Sequence, residues 1–273
     1  MAVEKTNRMK GRVAIVTGAG SRSDGIGNGR AASILLARAG CKVALLDTQQ
    51  DWVETTLGMI RQEGGEAFVH LADVTDPKQC QAAVAETVRR YGKLDTLVNN
   101  VGIGGPKGTA VEVDPEAWDR AMQVNVKSMM LMAKYAIPEM CKAGGGAIVN
   151  IASVAGLLGG NTNLLYSTSK GAVINMTRSM ASQHGREGIR VNCVCPGMVY
   201  TPMVQAEGMT PERREARKKR SLLWTEGEGW DIGNAVLYLA SDEAKWVTGL
   251  IMPVDAGATA GYVPSEAILP TKR

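Results

Sequence analysis

Two histidines, one phenylalanine and no Cys-x-x-Cys pair among 273 residues exclude several function classes at once. With only His70 and His184 available, a histidine-based metal centre lacks ligands, and no metal is expected. The five cysteines (Cys41, Cys80, Cys141, Cys193 and Cys195) are odd in number. They read as reduced, mostly buried thiols of a cytoplasmic protein rather than a disulfide framework. Charge of one sign is also scarce: the net charge is +4 and scattered, a poor basis for nucleic-acid binding. The densest basic run, Arg213–Arg220, has no aromatic platform beside it on which bases would stack. No apolar run is long enough to span a bilayer, and the polar start Met1–Lys10 has no signal-like segment, so no membrane association is expected.

What is present is a chain 45% hydrophobic, enough to bury a sizeable core. Short β-branched runs alternate with longer helical patterns. Strands are expected at 12–17, 42–46, 67–71, 94–98, 147–151, 190–194 and 250–254. Helices are expected at 26–39, 51–63, 76–91, 115–142 (bent near Pro138), 164–184 and 230–239. Such alternation implies parallel pairing through right-handed crossovers. The fold class is therefore α/β: a single doubly wound, Rossmann-like domain with a parallel seven-stranded sheet between two helical layers. It should occupy 11–257, after a flexible start at 1–10 and before a tail at 258–273.

Tyr166 and Lys170 lie four residues apart and Ser153 thirteen before the tyrosine. A spacing of four puts two side chains on one helix face. An ammonium there favours the phenolate, bringing a phenol of pKa ~10 toward the neutral range where it trades protons.

The other informative region follows the first strand, Thr17-Gly18-Ala19-Gly20-Ser21-Arg22-Ser23-Asp24-Gly25-Ile26-Gly27. Glycines admit a pyrophosphate to the backbone N–H groups, and the next helix presents its positive dipole end. Gly18, Gly20, Arg22, Gly25, Ile26 and Gly27 are the candidates. Asp47, ending the second strand, faces an adenosine ribose in this fold and repels a 2′-phosphate, which favours NAD over NADP. Arg22 argues the other way. Asp73 and Val74 suit an adenine edge, although a plain turn aspartate explains Asp73 as well. Asn100, Val101 and Gly102 form a tight exit from the fourth strand.

Together these motifs resemble the short-chain dehydrogenase/reductase family over nearly the whole chain. The resemblance rests on Gly18…Gly25-Ile26-Gly27, Asn99–Gly102, Asn125, Ser153, Tyr166…Lys170, Pro196-Gly197…Thr201 and Val254–Gly257. It departs in about three extra residues near Arg22–Asp24 and in Val101 and Ala256. It implies hydride transfer between a nicotinamide and a secondary alcohol or ketone. Tyr166 would be the general acid/base, Lys170 would tune it and bind the nicotinamide ribose, and Ser153 would orient the substrate oxygen. Asn125 would hold a water, and Pro196, Gly197, Val199 and Thr201 would border the nicotinamide. It also implies a homotetramer, or a homodimer.

The substrate should be a small molecule walled by 103–111, 155–165 and a methionine-rich lid at about 198–224. The methionines either line an adaptable pocket or pack the lid on the body. Arg213–Arg220 either draws in an anionic substrate or is a solvated helix face. The leading reading is an NAD-dependent alcohol dehydrogenase. A 3-oxoacyl-type reductase using NADPH and a catalytically silent NAD-binding regulator of the same fold are the alternatives.

Overall fold

The computed structural model describes residues 7–22, 25–206 and 208–261. Its first half runs β1 (Val13–Thr17), α1 (Asn28–Arg38), β2 (Lys42–Asp47), α2 (Gln50–Gln62), β3 (Ala67–Leu71), α3 (Pro77–Tyr91) and β4 (Thr96–Asn99). The second half runs α4 (Pro115–Met122), a π-helical turn (Gln123–Lys127), α5 (Ser128–Lys142), β5 (Gly146–Ile151), α6 (Leu164–His184) and β6 (Ile189–Pro196). Short helices α7 (Pro202–Gln205) and α8 (Pro211–Lys218) follow, then α9 (Gly229–Ala240) and β7 (Ile251–Val254).

The seven strands form one parallel sheet in the order β3-β2-β1-β4-β5-β6-β7. Successive side chains of a strand point to opposite faces, and the apolar strands use both. Ala14, Val16, Val43, Leu45, Val98 and Val149 join α1, α2 and α9 in one core. Ile15, Ala44, Leu46, Leu97 and Ile148 join α3, α5 and α6 in the other. Each leucine buried this way contributes about 1.5–3 kcal/mol. Chain order reverses between β1 and β4, and the carboxyl ends flanking that reversal are where such sheets open a crevice.

Four details differ from the expectation. Met9 is buried in the first core and its N–H donates to Ala39 O at 2.8 Å. The packed body thus reaches back to residue 7, because an apolar side chain in a polar segment found the rim of the sheet. Helix α1 starts at Asn28, since Gly27 is still extended (φ −83°, ψ 166°). The long helix is interrupted by the π turn at Gln123–Lys127, while α5 carries Pro138 within its span. The segment 198–224, expected to be a lid, holds two short helices, each with a proline in its first turn, a position where the missing N–H costs nothing. Of the tail, residues 262–273 fall outside the described residues.

Candidate active site

The candidate site residues lie in the loops that leave β1, β2, β3, β4, β5 and β6 and on the first turns of α6, and Asn125 stands apart from them in the π turn before α5. The glycine turn is formed by close approach. Gly18 has φ +63°, a conformation that favours glycine. A Cβ on Gly29 would fall 2.0 Å from Gly18 O, so the start of α1 touches the turn with no side chain between them. Asn100 fastens the other side: its Nδ2 donates to Thr17 O and Gly18 O at 3.2 and 3.0 Å, and its N–H donates to Thr17 Oγ1 at 3.0 Å. Asp47 Oδ2 accepts from Gly20 N–H at 2.9 Å, and Oδ1 accepts from Thr48 and Gln49 N–H. The carboxylate thereby ties the loop to the start of α2 and keeps further lone pairs free for hydroxyl donors. Arg22 lies 5.9 Å from the centre of the Trp52 ring. Asp73 Oδ1 accepts from Thr75 N–H and Oγ1, the self-closing turn offered above as its plainer explanation.

Ser153 follows β5 and caps the short turn Val154–Gly156, accepting from Ala155 N–H at 3.2 Å. That turn lies on α6: a Cβ on Gly156 would come within 2.6 Å of the Lys170 carbonyl carbon. Tyr166 stands on the first turn of α6 and Lys170 one turn later. The Lys170 ammonium donates to Ile151 O at 3.1 Å and lies 5.7 Å from the centre of the tyrosine ring. Only 4% of Lys170 is exposed, and burial pulls its pKa from the ordinary lysine value down to about 8, because the charged form loses its water. Gly102 passes directly over it: a Cβ there would be 3.1 Å from Nζ.

Asn125 belongs to the π turn, the irregularity in which functional residues are often found. Its Oδ1 accepts from Ile103 N–H at 2.8 Å, and its Nδ2 donates to Ile103 O at 2.9 Å and to Ser169 Oγ at 3.1 Å. Ser169 Oγ donates in turn to Tyr166 O. The asparagine thus clamps the loop after β4 to the stretch of α6 between tyrosine and lysine. At the end of β6, Pro196 is buried, and a Cβ on Gly197 would lie 2.6 Å from Asp255 Cβ. Val199 and Thr201 lead from there into the lid.

Much of the basic run has a structural job. Glu226, 3% exposed in its side chain, accepts from Arg214 Nε at 2.7 Å and Arg217 Nε at 3.0 Å. Arg217 also reaches Val199 O, and Arg214 stacks on Tyr200. These two guanidiniums hold α8 to the loop before α9, so the run as a whole is not a free anion trap. Ile103, Leu157, Leu158, Leu164, Met203 and Leu223 are exposed on the segments 103–111, 155–165 and 198–224.

Ser169, Gly156 and Glu226 carry no distinctive signal in the sequence until the elements meet. Arg30 does carry one, as an arginine in the run of small residues that opens α1. Among the described residues no cluster of His, Cys, Asp and Glu is arranged to hold a metal, and no helix is long and apolar enough to cross a membrane.

Residues 19–259 match the family model described as enoyl-(acyl carrier protein) reductase. The chain is 40% identical to 2-(S)-hydroxypropyl-CoM dehydrogenase 3 of Xanthobacter autotrophicus, covering 93% of this chain and 99% of that one. It is 36% identical to cis-4-hydroxycyclohexanecarboxylate dehydrogenase of Sinomonas cyclohexanicum, covering 91% and 97%. Among solved structures, 7α-hydroxysteroid dehydrogenase complexed with NADH and 7-oxo glycochenodeoxycholic acid superposes with a TM-score of 0.85 at 34% identity, covering 94% of this chain and 98% of that one. With a family model matched over residues 19–259, relatives matched end to end and a seven-stranded parallel sheet, this chain belongs to the short-chain dehydrogenase/reductase family of nicotinamide-dependent oxidoreductases.

Proposed function

We propose that the protein is an NAD(H)-dependent dehydrogenase that interconverts a secondary alcohol and a ketone, with Tyr166 as its general acid/base. The observation that carries this reading is the buried Lys170 ammonium one helical turn from Tyr166, beneath the glycine that leaves β4. The ammonium lies 5.7 Å from the centre of the tyrosine ring, and a cation held beside a phenol favours its anion.

The glycine turn fits a dinucleotide, because its approach to α1 leaves no side chain where a pyrophosphate meets backbone N–H groups. Gly18, Gly20, Arg22, Gly25, Ile26 and Gly27 would hold the pyrophosphate end and Asp47 the adenosine ribose. Asp73 and Val74 would flank the adenine. Asn100, Val101, Gly102, Pro196, Gly197, Val199 and Thr201 would line the nicotinamide half. When bound, the nicotinamide supplies or accepts the hydride.

The chain's own residues handle the proton. In oxidation Tyr166 takes the alcohol proton, and in reduction it returns it. Lys170 stabilises the anionic form and offers its remaining donors to the ribose hydroxyls. Ser153 Oγ accepts from Ala155 N–H, which leaves its own O–H to donate to the substrate oxygen. Both amide hydrogens of Asn125 are committed. A water on the proton path would therefore use the second lone pair of Oδ1, close to Gly102 and Lys170.

The carboxylate of Asp47 supports NAD over NADP, and Arg22, the residue for the other choice, has Trp52 as a partner. The apolar side chains on the walls support a substrate with a sizeable apolar body. We further read the body from residue 7 to residue 257 as one catalytic unit with a lid at 198–224, working in the cytoplasm as a homotetramer or homodimer. A groove of about 700 Å³ on the outer side of α4–α5–α6, with Met122, Val126, Met130 and Met176 on it, supports pairing of this face with a second copy.

A panel of secondary alcohols and ketones, followed by NADH absorbance with NAD and NADP in parallel, tests the proposal. Turnover is expected with NAD. Tyr166→Phe should lower kcat by about a thousandfold or more with NADH affinity within about twofold. Near-normal turnover by that variant removes the tyrosine from the scheme. Tight NADH binding without turnover on the whole panel would favour the silent regulator.

A further inference from the structure

Arg30, in the first turn of α1, is fully buried. Its Nη1 donates to Gly25 O at 2.7 Å, and its Nη2 donates to Trp52 O at 3.0 Å and Ser21 O at 3.4 Å. Its Nε donates to Thr56 Oγ1 at 3.0 Å, and that hydroxyl donates to Ala19 O at 2.8 Å. One guanidinium thus grips both limbs of the lengthened glycine loop and the first turn of α2. Burying a cation costs several kcal/mol, and an apolar side chain would fill the same space without that cost. What the apolar side chain lacks is the planar fork of donors.

The effect on the loop follows from peptide geometry. In a trans peptide the C=O and the next N–H point in opposite directions. Carbonyls of Ser21 and Gly25 drawn inward to Arg30 therefore direct the N–H groups of Arg22 and Ile26 outward. Backbone N–H groups turned outward in this way are the kind of donor a diphosphate takes.

We propose that Arg30 is a positioning residue for the dinucleotide: it sets the orientation of the peptides Ser21–Arg22 and Gly25–Ile26 so that the N–H groups of Arg22 and Ile26 meet the pyrophosphate. This rests on the reading that the glycine loop holds the pyrophosphate.

The test is binding of NADH, ADP-ribose and adenosine to the cofactor-free protein, followed by intrinsic fluorescence, with melting curves and steady-state kinetics alongside. Arg30→Met should weaken NADH and ADP-ribose by roughly tenfold or more and leave adenosine within about twofold. KM for the coenzyme should rise while kcat holds within about twofold. Arg30→Lys, which restores the charge and part of the bonding, should recover part of the loss. Wild-type NADH affinity in Arg30→Met, or an equal loss for adenosine, overturns the proposal. If Arg30→Met does not fold, Thr56→Val asks the same question through the Nε acceptor. A loss of about threefold is expected there, and unchanged affinity overturns the proposal. Gly27→Val separates the two levels. If it leaves NADH binding unchanged, the loop reading and the proposal built on it both fall. If it weakens NADH while the Arg30 variants do not, only the role of Arg30 falls.

Discussion

Lys170 pays for its position. Burial lowers its pKa to about 8, below the ordinary ~10.5 of a lysine in an unfolded chain. Between these values the unfolded chain binds more protons, so stability rises with pH across about 8–10.5, and below that window the full cost of the buried charge is present. Lys170→Met should therefore be the more stable protein at pH 7, by on the order of 2 kcal/mol after the loss of the bond to Ile151 O. The advantage should shrink to nothing as pH approaches about 10.5. Melting curves of both proteins from pH 6 to 10.5 check this, and a variant less stable throughout contradicts it. The pair Tyr166 and Lys170 was legible in the sequence because helical spacing is a local property. The depth at which the lysine sits was not, since it depends on Gly102 crossing above it from a strand far away in the chain.

Two elements, the π turn and the segment 198–224, are each held by few side chains. Asn125 is the sole side chain among the described residues shown to bond both Ile103 N–H and O. Asn125→Leu leaves those groups and Ser169 short of partners, a loss of about 1–3 kcal/mol. Amide exchange of Ile103 should lose protection ahead of the strands, and unchanged exchange would dismiss the clamp. Helix α8 is tied down by Glu226. Glu226→Ala should release α8, raise KM for the alcohol several-fold and open the basic run to trypsin. Cleavage no faster than in the wild type would show that α8 is held some other way. The strands were readable because each is a short β-branched run, and α8 was readable only as charge. Its helix depends on a proline start and on two arginines finding a buried carboxylate, and that carboxylate is set by the packing before α9.

For the whole molecule, the coenzyme is the most direct probe, since a ligand that binds only the native state raises its stability by mass action, about 2.7 kcal/mol at one hundred times Kd. NADH should raise the melting temperature more than NADPH at equal concentration, because Asp47 stands at the end of β2 where a 2′-phosphate would approach its charge. A larger shift with NADPH would reverse the coenzyme assignment. The chain's own pattern determined the layered fold: alternation of apolar strands with helices of matching length admits few arrangements besides a parallel sheet covered on both faces. It also determined the residue types of the site, since glycine turns, a strand-end aspartate and a Tyr–Lys pair one turn apart are local signals. Only the tertiary structure decided which groups touch: the reversal of strand order beside β1, the π turn that aims Asn125, and the burial of Lys170 and Arg30. Those depend on burial and on hydrogen bonds between segments distant in the chain. Residue spacing cannot record such contacts, because their energy exists only once both partners have left water together.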